Sequence, residues 1–292
     1  MQYPATRAVD GMSFAIAPGG ITAVLGPNGA GKTTTIEVCE GLRRPTSGTV
    51  RVLEADPLRF DAARRARLGV MLQSGGIPSA ARAVEFVGHI ARLHADPLDP
   101  QLLCDRLGLH KLAATPYRRM SGGQKQTLAL AAAIVGRPEL LILDEPTAGL
   151  DPAARIATWE LVRELRDSGV TVMMSTHSME EAERVADTVL VVNAGTVVAH
   201  GSLAELTGDD THRIALHTAE PIDVDAMDHD LGVGISVTMR DDELLIVGDS
   251  GVELNAAVTA WCSSHGAVIT SLTSGRRTLE DVFFDLTGRD LS

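Results

Sequence analysis

Gly26-Pro27-Asn28-Gly29-Ala30-Gly31-Lys32-Thr33 follows the short apolar run Ile21–Leu25 without a break and leads into a helical pattern from Lys32 onward. A strand, a glycine-rich loop and a helix in that order form a cradle for phosphate. Small residues let the backbone wrap closely, so successive N–H groups point inward at phosphate oxygens. The helix adds the positive end of its dipole. In such a cradle Lys32 reaches the β- and γ-phosphates of ATP and the Thr33 hydroxyl holds Mg²⁺. Thr34 completes the set expected to bind the nucleotide.

The rest of the chain is expected to build a fold around that segment. Residues 68–72, 140–143 and 170–175 read as strands, and 50–53 as a further one. Between 78 and 135 the pattern turns helical, with Val84, Val87, Ile90 and Leu93 recurring at three- to four-residue steps. Residues 153–166 and Met179–Val185 read as helices. Strands alternating with helices argue for an α/β core around a parallel sheet. Leu140-Leu141-Ile142-Leu143 is the continuous apolar run of a strand buried on both faces, and it ends in Asp144-Glu145. The ends of parallel strands are where such a sheet opens its ligand crevice. There Asp144 is placed to hold Mg²⁺, and Glu145 to act as general base on the attacking water. Alone, an apolar run followed by Asp-Glu is an ordinary strand end; after a phosphate cradle it becomes a candidate site.

Any nucleotide hydrolase with such a cradle would fit so far. Ser121-Gly122-Gly123-Gln124-Lys125-Gln126, ahead of an Ala/Leu-rich helix, narrows the field. A Ser-Gly-Gly start exposes a second set of helix N–H groups, an anion cradle without a lysine. Ser is also a favoured helix cap, so the segment by itself needs no ligand. Beside the other motifs it resembles the signature motif of ABC-transporter ATPases, a resemblance covering residues 3 to about 206.

That resemblance implies roles for further residues. Gln73 resembles the glutamine that contacts Mg²⁺ and the attacking water and reports to the membrane partner. Ala148-Gly149-Leu150-Asp151 resembles the family's D-loop, and His177 the switch histidine on the γ-phosphate. Tyr3 matches the adenine-stacking aromatic. The family mechanism implies an ATP sandwich of two copies, in which Ser121, Gly122, Gly123 and Gln124 of one face the nucleotide held by Lys32 of the other. A separate membrane permease is the implied partner, with the chain on the cytoplasmic face of the membrane.

The chain departs from the family pattern at a few positions. It lacks the strand that ordinarily precedes the aromatic, so either the true start lies upstream or the sheet edge is shortened. Met120 stands for a more usual Leu, Thr127 for a basic residue and Gly20 for an acidic one, and none of the catalytic set is missing.

After Leu206 the character changes. Stretches 213–217, 235–239 and 244–247 read as strands, with Asp241-Asp242 as a turn, then a helix over 252–261, a strand over 267–271 and a helix over 279–286. The expected division is a nucleotide-binding domain over 1–207, with its helical part at about 78–135, and a small α+β accessory domain over 208–292. The ending Arg276-Arg277-Thr278-Leu279-Glu280-Asp281-Val282-Phe283-Phe284-Asp285-Leu286-Thr287-Gly288 resembles that of ATPases from exporters of antibiotics and other hydrophobic drugs, as does Thr147-Ala148-Gly149-Leu150-Asp151-Pro152. Leu279, Val282, Phe283 and Leu286 equally make the apolar face of a helix packing on its own domain. Export of such a substrate is therefore expected, with an importer ATPase as the alternative.

Composition bears on the partners. The net charge of −12 repels phosphate backbones and argues against a nucleic-acid partner. With one cassette, a short insert and no zinc-like Cys cluster, a soluble relative acting on ribosomes or DNA is the lesser alternative. Cys39, Cys104 and Cys262 are separated, form no C-x-x-C pair and read as buried hydrophobes in a reducing setting. Leu128-Ala129-Leu130-Ala131-Ala132-Ala133-Ile134-Val135 is among the longest apolar runs, too short to span a bilayer, and the N-terminus has no secretory pattern.

Overall fold

The computed structural model describes residues 7–73, 75–208, 211–240, 243–249 and 251–287. The chain divides into two compact units between Ser202 and Leu203, rather than after Thr207 as composition suggests. Residues 203–207 form a short helix that packs with the last helix of the second unit.

The first unit is built on six strands: β1 Ile21–Leu25, β2 Leu68–Met71, β3 Leu140–Asp144, β4 Thr171–Thr176, β5 Thr188–Asn193 and β6 Thr196–Ser202. Their order is β2-β3-β4-β1-β5-β6; the first five are parallel and β6 pairs antiparallel with β5 at the edge. β1 is buried along its whole length and β3 from Leu141 onward, as central parallel strands covered on both faces must be. The crossovers are α1 Lys32–Cys39 after β1, α6 Pro152–Asp167 between β3 and β4, and α7 Met179–Val185 between β4 and β5. Between β2 and β3 lie α3 Ala83–Ala91, α4 Pro100–Arg106 and α5 Gly122–Ile134, the expected helical part; α2 Ala62–Ala66 precedes β2. Cys39 and Cys104 are buried free thiols here, and Cys262 is one in the second unit.

Two local expectations fail. Residues 50–53 form no strand: Val52 and Ala55 make an isolated bridge. Leu53 and Glu54 take positive φ of 46° and 66°, a tight reversal that cuts an extended run short. Leu93 lies beyond the end of α3 and is exposed; that helix buries Ala83, Val87 and Ala91 instead.

The second unit begins with α8 Leu203–Thr207 and continues β7 His212–Thr218, α9 Val224–Leu231, β8 Ser236–Arg240, β9 Glu243–Gly248, α10 Gly251–Ser264, β10 Ile269–Arg276 and α11 Leu279–Thr287. The sheet order is β10-β7-β9-β8 with every neighbouring pair antiparallel. Each β-α-β crossover thus leaves room for one strand of the other, the split βαβ arrangement. Ile214, Leu216, Leu244 and Ile246 from the sheet meet Met227, Leu254, Val258 and Trp261 from the helices in one core. On α11, Asp281 is fully buried, pairs with Arg213 at 2.8 Å and accepts from the Thr278 N–H and hydroxyl. The expected Asp241-Asp242 turn lies outside the described residues.

Candidate active site

The cradle at the end of β1 is shaped by what stands behind it. A Cβ on Gly26 would lie 2.2 Å from the Val192 carbonyl oxygen of β5, so the loop can leave the sheet only with glycine there. Gly31, at φ 100°, caps α1, and its Cβ would lie 2.3 Å from the Ala8 carbonyl oxygen. The segment around Ala8 to Asp10 is pinned alongside, since the Asp10 N–H donates to the Gly195 oxygen at 2.7 Å and the Gly195 N–H to the Ala30 oxygen at 3.1 Å. Asn28 and Gly29 are exposed, Pro27 half-buried and Ala30 buried. Lys32 is buried, and its ammonium donates to the oxygens of Gly26 at 2.7 Å and Pro27 at 3.1 Å. Burial lowers the Lys32 pKa, with Glu145 and Asp144 opposing the shift. Thr33 and Thr34 follow in the first turn of α1.

Three neighbouring strands deliver the next three residues side by side. Gln73 follows β2, Glu145 follows β3 and His177 follows β4, and these strands are adjacent and parallel. One Glu145 oxygen stands 3.3 Å from the His177 Nδ1, and the other accepts from the Gln73 amide at 3.4 Å. Glu145 adopts φ 49°, uncommon for a residue with a side chain. Its N–H donates to the Ser175 hydroxyl oxygen at 3.0 Å. Asp144, only 3% exposed, accepts from the Ser175 hydroxyl and is hydrogen-bonded to Thr33. Burial raises the Asp144 pKa, while those two hydrogen bonds pull it down.

Ser175 is the residue that motif reading missed. It sits opposite Asp144 in the parallel register of β3 and β4 and serves both carboxylate-bearing residues. A hydroxyl directly after the apolar run Val172-Met173-Met174 was the available signal.

The second helix start is a finished cap. Ser121 caps α5 and forms a reciprocal capping box with Gln124. A Cβ on Gly123 would meet the Leu150 side chain at 3.1 Å, so α5 starts against the turn that ends in Asp151. The Gln126 side-chain amide donates to the Glu145 main-chain carbonyl oxygen at 3.5 Å. Asp151 caps α6, accepting from the Ala154 N–H at 2.9 Å. Ser121 and Gly122 are exposed, open to a partner. The structure thus brings Lys32, Thr33, Asp144, Glu145, Gln73 and His177 into one crevice, while Ser121 and Gln124 are bonded to each other. Tyr3 lies outside the described residues.

A buried carboxylate beside a threonine hydroxyl supplies hard oxygen donors. That set fits Mg²⁺, which is commonly bound by one or two protein groups with phosphate and water completing its shell. Among the described residues no three His, Cys, Asp or Glu gather as a metal cluster.

Residues 9–148 match the family model described as "ABC transporter". The chain is also 35% identical, over 99% of its own length and 94% of the relative's, to the daunorubicin resistance ATP-binding protein of Streptomyces coeruleorubidus. The chain belongs to the ABC transporter ATP-binding proteins. As an ABC ATPase it binds and hydrolyses ATP, and cassettes of this family act as dimers with transporter membrane partners. The Nod factor export ATP-binding protein I of Ralstonia nicotianae is 33% identical across 99% of this chain and 92% of its own length. A solved ATP-binding subunit of an ABC transporter superposes with a TM-score of 0.64 at 27% identity, covering 71% of this chain and 88% of its own. A dimeric ATP-binding cassette bound to ADP and Pi shares the fold at 22% identity and a TM-score of 0.62, covering 68% of this chain and 91% of its own. No helix among the described residues is long and apolar enough to cross a membrane.

Proposed function

We propose that this ABC ATPase drives export of a drug-like or other hydrophobic substrate through a separate permease at the cytoplasmic face of the membrane. The observation that carries the catalytic half is the convergence of Gln73, Glu145 and His177 at the ends of three adjacent strands. The export half is supported by relatives named for daunorubicin resistance and Nod factor export whose likeness runs through the second unit.

In this reading the N–H groups of residues 26–34 and Lys32 bind the phosphates, and Glu145 takes a proton from the attacking water. His177 and Gln73 hold the Glu145 carboxylate and the water in line. Thr33 and Asp144, with Gln73 near, would hold Mg²⁺, which when bound neutralises charge on the β- and γ-phosphate oxygens. Ser121, Gly122 and Gly123 of a second copy close on the γ-phosphate, with Gln124 and Asp151 at the joint. ATP then holds two copies together and hydrolysis releases them. Tyr3 would stack on adenine. The second unit acts as an accessory domain.

The decisive test uses inside-out vesicles from cells producing the chain together with a co-expressed candidate permease. ATP should drive uptake of a fluorescent anthracycline, and Glu145→Gln should abolish both uptake and phosphate release while sedimenting as an ATP-dependent dimer. Wild-type phosphate release by that variant would overturn the catalytic assignment. Full ATPase activity without movement of any hydrophobic probe would overturn export.

A further inference from the structure

Glu181 is 2% exposed, yet the mechanism above gives it no task. One of its oxygens accepts two side-chain hydrogen bonds: from the Thr147 hydroxyl at 2.8 Å and from the Trp159 indole N–H at 2.9 Å. Thr147 and Trp159 are themselves buried, at 8% and 4% exposure. The three residues come from three segments. Thr147 lies two positions after Glu145, in the turn that closes with the Ala148 N–H on the Glu145 oxygen and the Leu150 N–H on the Thr147 oxygen. Trp159 is on α6, which Asp151 caps. Glu181 is in the first turn of α7, which follows directly on His177 and Ser178.

Local helix chemistry does not explain this arrangement. Ser178 caps α7 and accepts from the Glu181 N–H at 3.3 Å. A glutamate at that position commonly reaches back to the N–H of the cap residue. Here the Ser178 N–H is taken by the Thr176 hydroxyl at 2.9 Å, and the Glu181 carboxylate turns inward instead. Burying a carboxylate is costly unless its hydrogen bonds are made. An apolar side chain would fill a helix seam without that cost, so the polar junction needs another reason. What it supplies is direction: two donors on one oxygen fix the turn after Glu145 and the seam between α6 and α7 relative to each other.

We infer that Glu181 is a positioning residue, tying the turn that bears Glu145, the helix begun by Asp151 and the helix behind His177 into one rigid unit. Displacement of residues 148–151 by a second copy would then move Glu145 and His177 together. The inference rests on the proposed roles of Glu145 and His177.

The test is steady-state ATPase kinetics on Thr147→Val, Trp159→Phe, Glu181→Ala and Glu181→Gln, with Glu145→Gln alongside. Thr147→Val deletes one donor at nearly constant volume; Trp159→Phe deletes the other and also empties the space of the pyrrole ring, so its kcat is read beside its melting temperature. Thr147→Val and Glu181→Ala should lower kcat about tenfold or more while KM for ATP stays within about twofold, the mark of an interaction that acts on the reaction and not on binding. Glu181→Gln keeps an acceptor oxygen and should recover most of the rate. Thr147→Val in an Glu181→Ala background should add little, since the partner is already gone. Wild-type kcat in both Thr147→Val and Trp159→Phe would overturn the inference, as would kcat and KM failing together in proportion to lost thermal stability. Should Glu181→Ala fail to fold, the two donor variants still decide. If Glu145→Gln retains turnover, the catalytic reading itself fails, whatever the Glu181 series shows.

Discussion

Nδ1 of His177 lies 3.3 Å from one carboxylate oxygen of Glu145, although the two residues are separated by a whole crossover helix. The contact exists because β3 and β4 run parallel and side by side, so the residues just past their ends meet. His177 is the exposed partner and Glu145 the sheltered one, with side chains 54% and 14% accessible. A sheltered carboxylate beside an accessible imidazole leaves one side of the pair open to the outside.

That asymmetry sets the first expectation. His177→Ala should slow ATP turnover on the order of 100-fold, the usual worth of a group assisting proton transfer. ATP affinity should change little, because the phosphates are gripped elsewhere. Phosphate-release kinetics beside a fluorescent-nucleotide titration separate the two effects. A variant that loses affinity and keeps its rate would contradict the placement.

At Lys32, function and stability should part company. Burial works against its ammonium, which among the described residues donates to the loop oxygens of Gly26 and Pro27. Lys32→Met keeps the aliphatic stem and removes the charge, so the melting temperature should hold or rise. Nucleotide affinity should fall at least tenfold, about 1.4 kcal/mol or more, for want of the charge-assisted bonds to phosphate. Calorimetry with ATP and a melting curve test both signs, and a lowered melting temperature would show that Lys32 supports the fold.

Gly31 and Gly29 offer a paired test of the cradle's shape. Both have positive φ, 100° and 80°, but a Cβ on Gly29 meets nothing within 4 Å, whereas on Gly31 it strikes the Ala8 backbone oxygen at 2.3 Å. Gly29→Ala carries only the left-handed backbone penalty, about 1 kcal/mol. Gly31→Ala adds a backbone collision and should cost about 3 kcal/mol or more. Urea unfolding of the two variants should differ accordingly, and equal midpoints would mean the segment beside Ala8 yields freely.

Much of this was legible in the sequence because the informative residues are close together along it. The cradle at residues 26–33 and the strand ending in Asp144-Glu145 carry their geometry in their spacing, and both lie where the pattern puts them. Gln73 and His177 were identifiable only through the family series, since a lone Gln or His after a strand has many ordinary uses. Ser175 escaped notice because its meaning lies in its register opposite Asp144, which no local pattern encodes. The Leu53-Glu54 reversal escaped for a similar reason: Val50-Arg51-Val52-Leu53, with its two β-branched valines, reads as a strand, and positive φ at two residues with side chains leaves no mark in composition. In the second unit the strands were visible, but α9 was not, and the strand order that interleaves the two crossovers appears only in three dimensions.

Glu40 gives a pH dependence whose sign can be fixed in advance. It caps the C-terminal end of α1, is 8% exposed, and neither carboxylate oxygen has a hydrogen-bond partner among the described residues. Burial, with repulsion from Asp144 and Glu37, raises its pKa from 4.5 to about 7. The negative end of the helix dipole acts in the same sense. Below pH 4.5 both folded and unfolded chains hold this proton and the group is neutral to stability. Between 4.5 and 7 the unfolded chain releases the proton and the folded chain keeps it, so stability falls as pH rises. Above 7 the loss is complete, on the order of 3 kcal/mol at 1.36 kcal/mol per pKa unit. Asp144, also raised by burial, leaves a residual slope of the same sign. Glu40→Gln cannot ionise, so its urea midpoint should decline far less than that of the wild type from pH 5 to pH 8, and it should be the more stable of the two at pH 8. Parallel profiles for the two proteins would sink the assignment of this slope to Glu40.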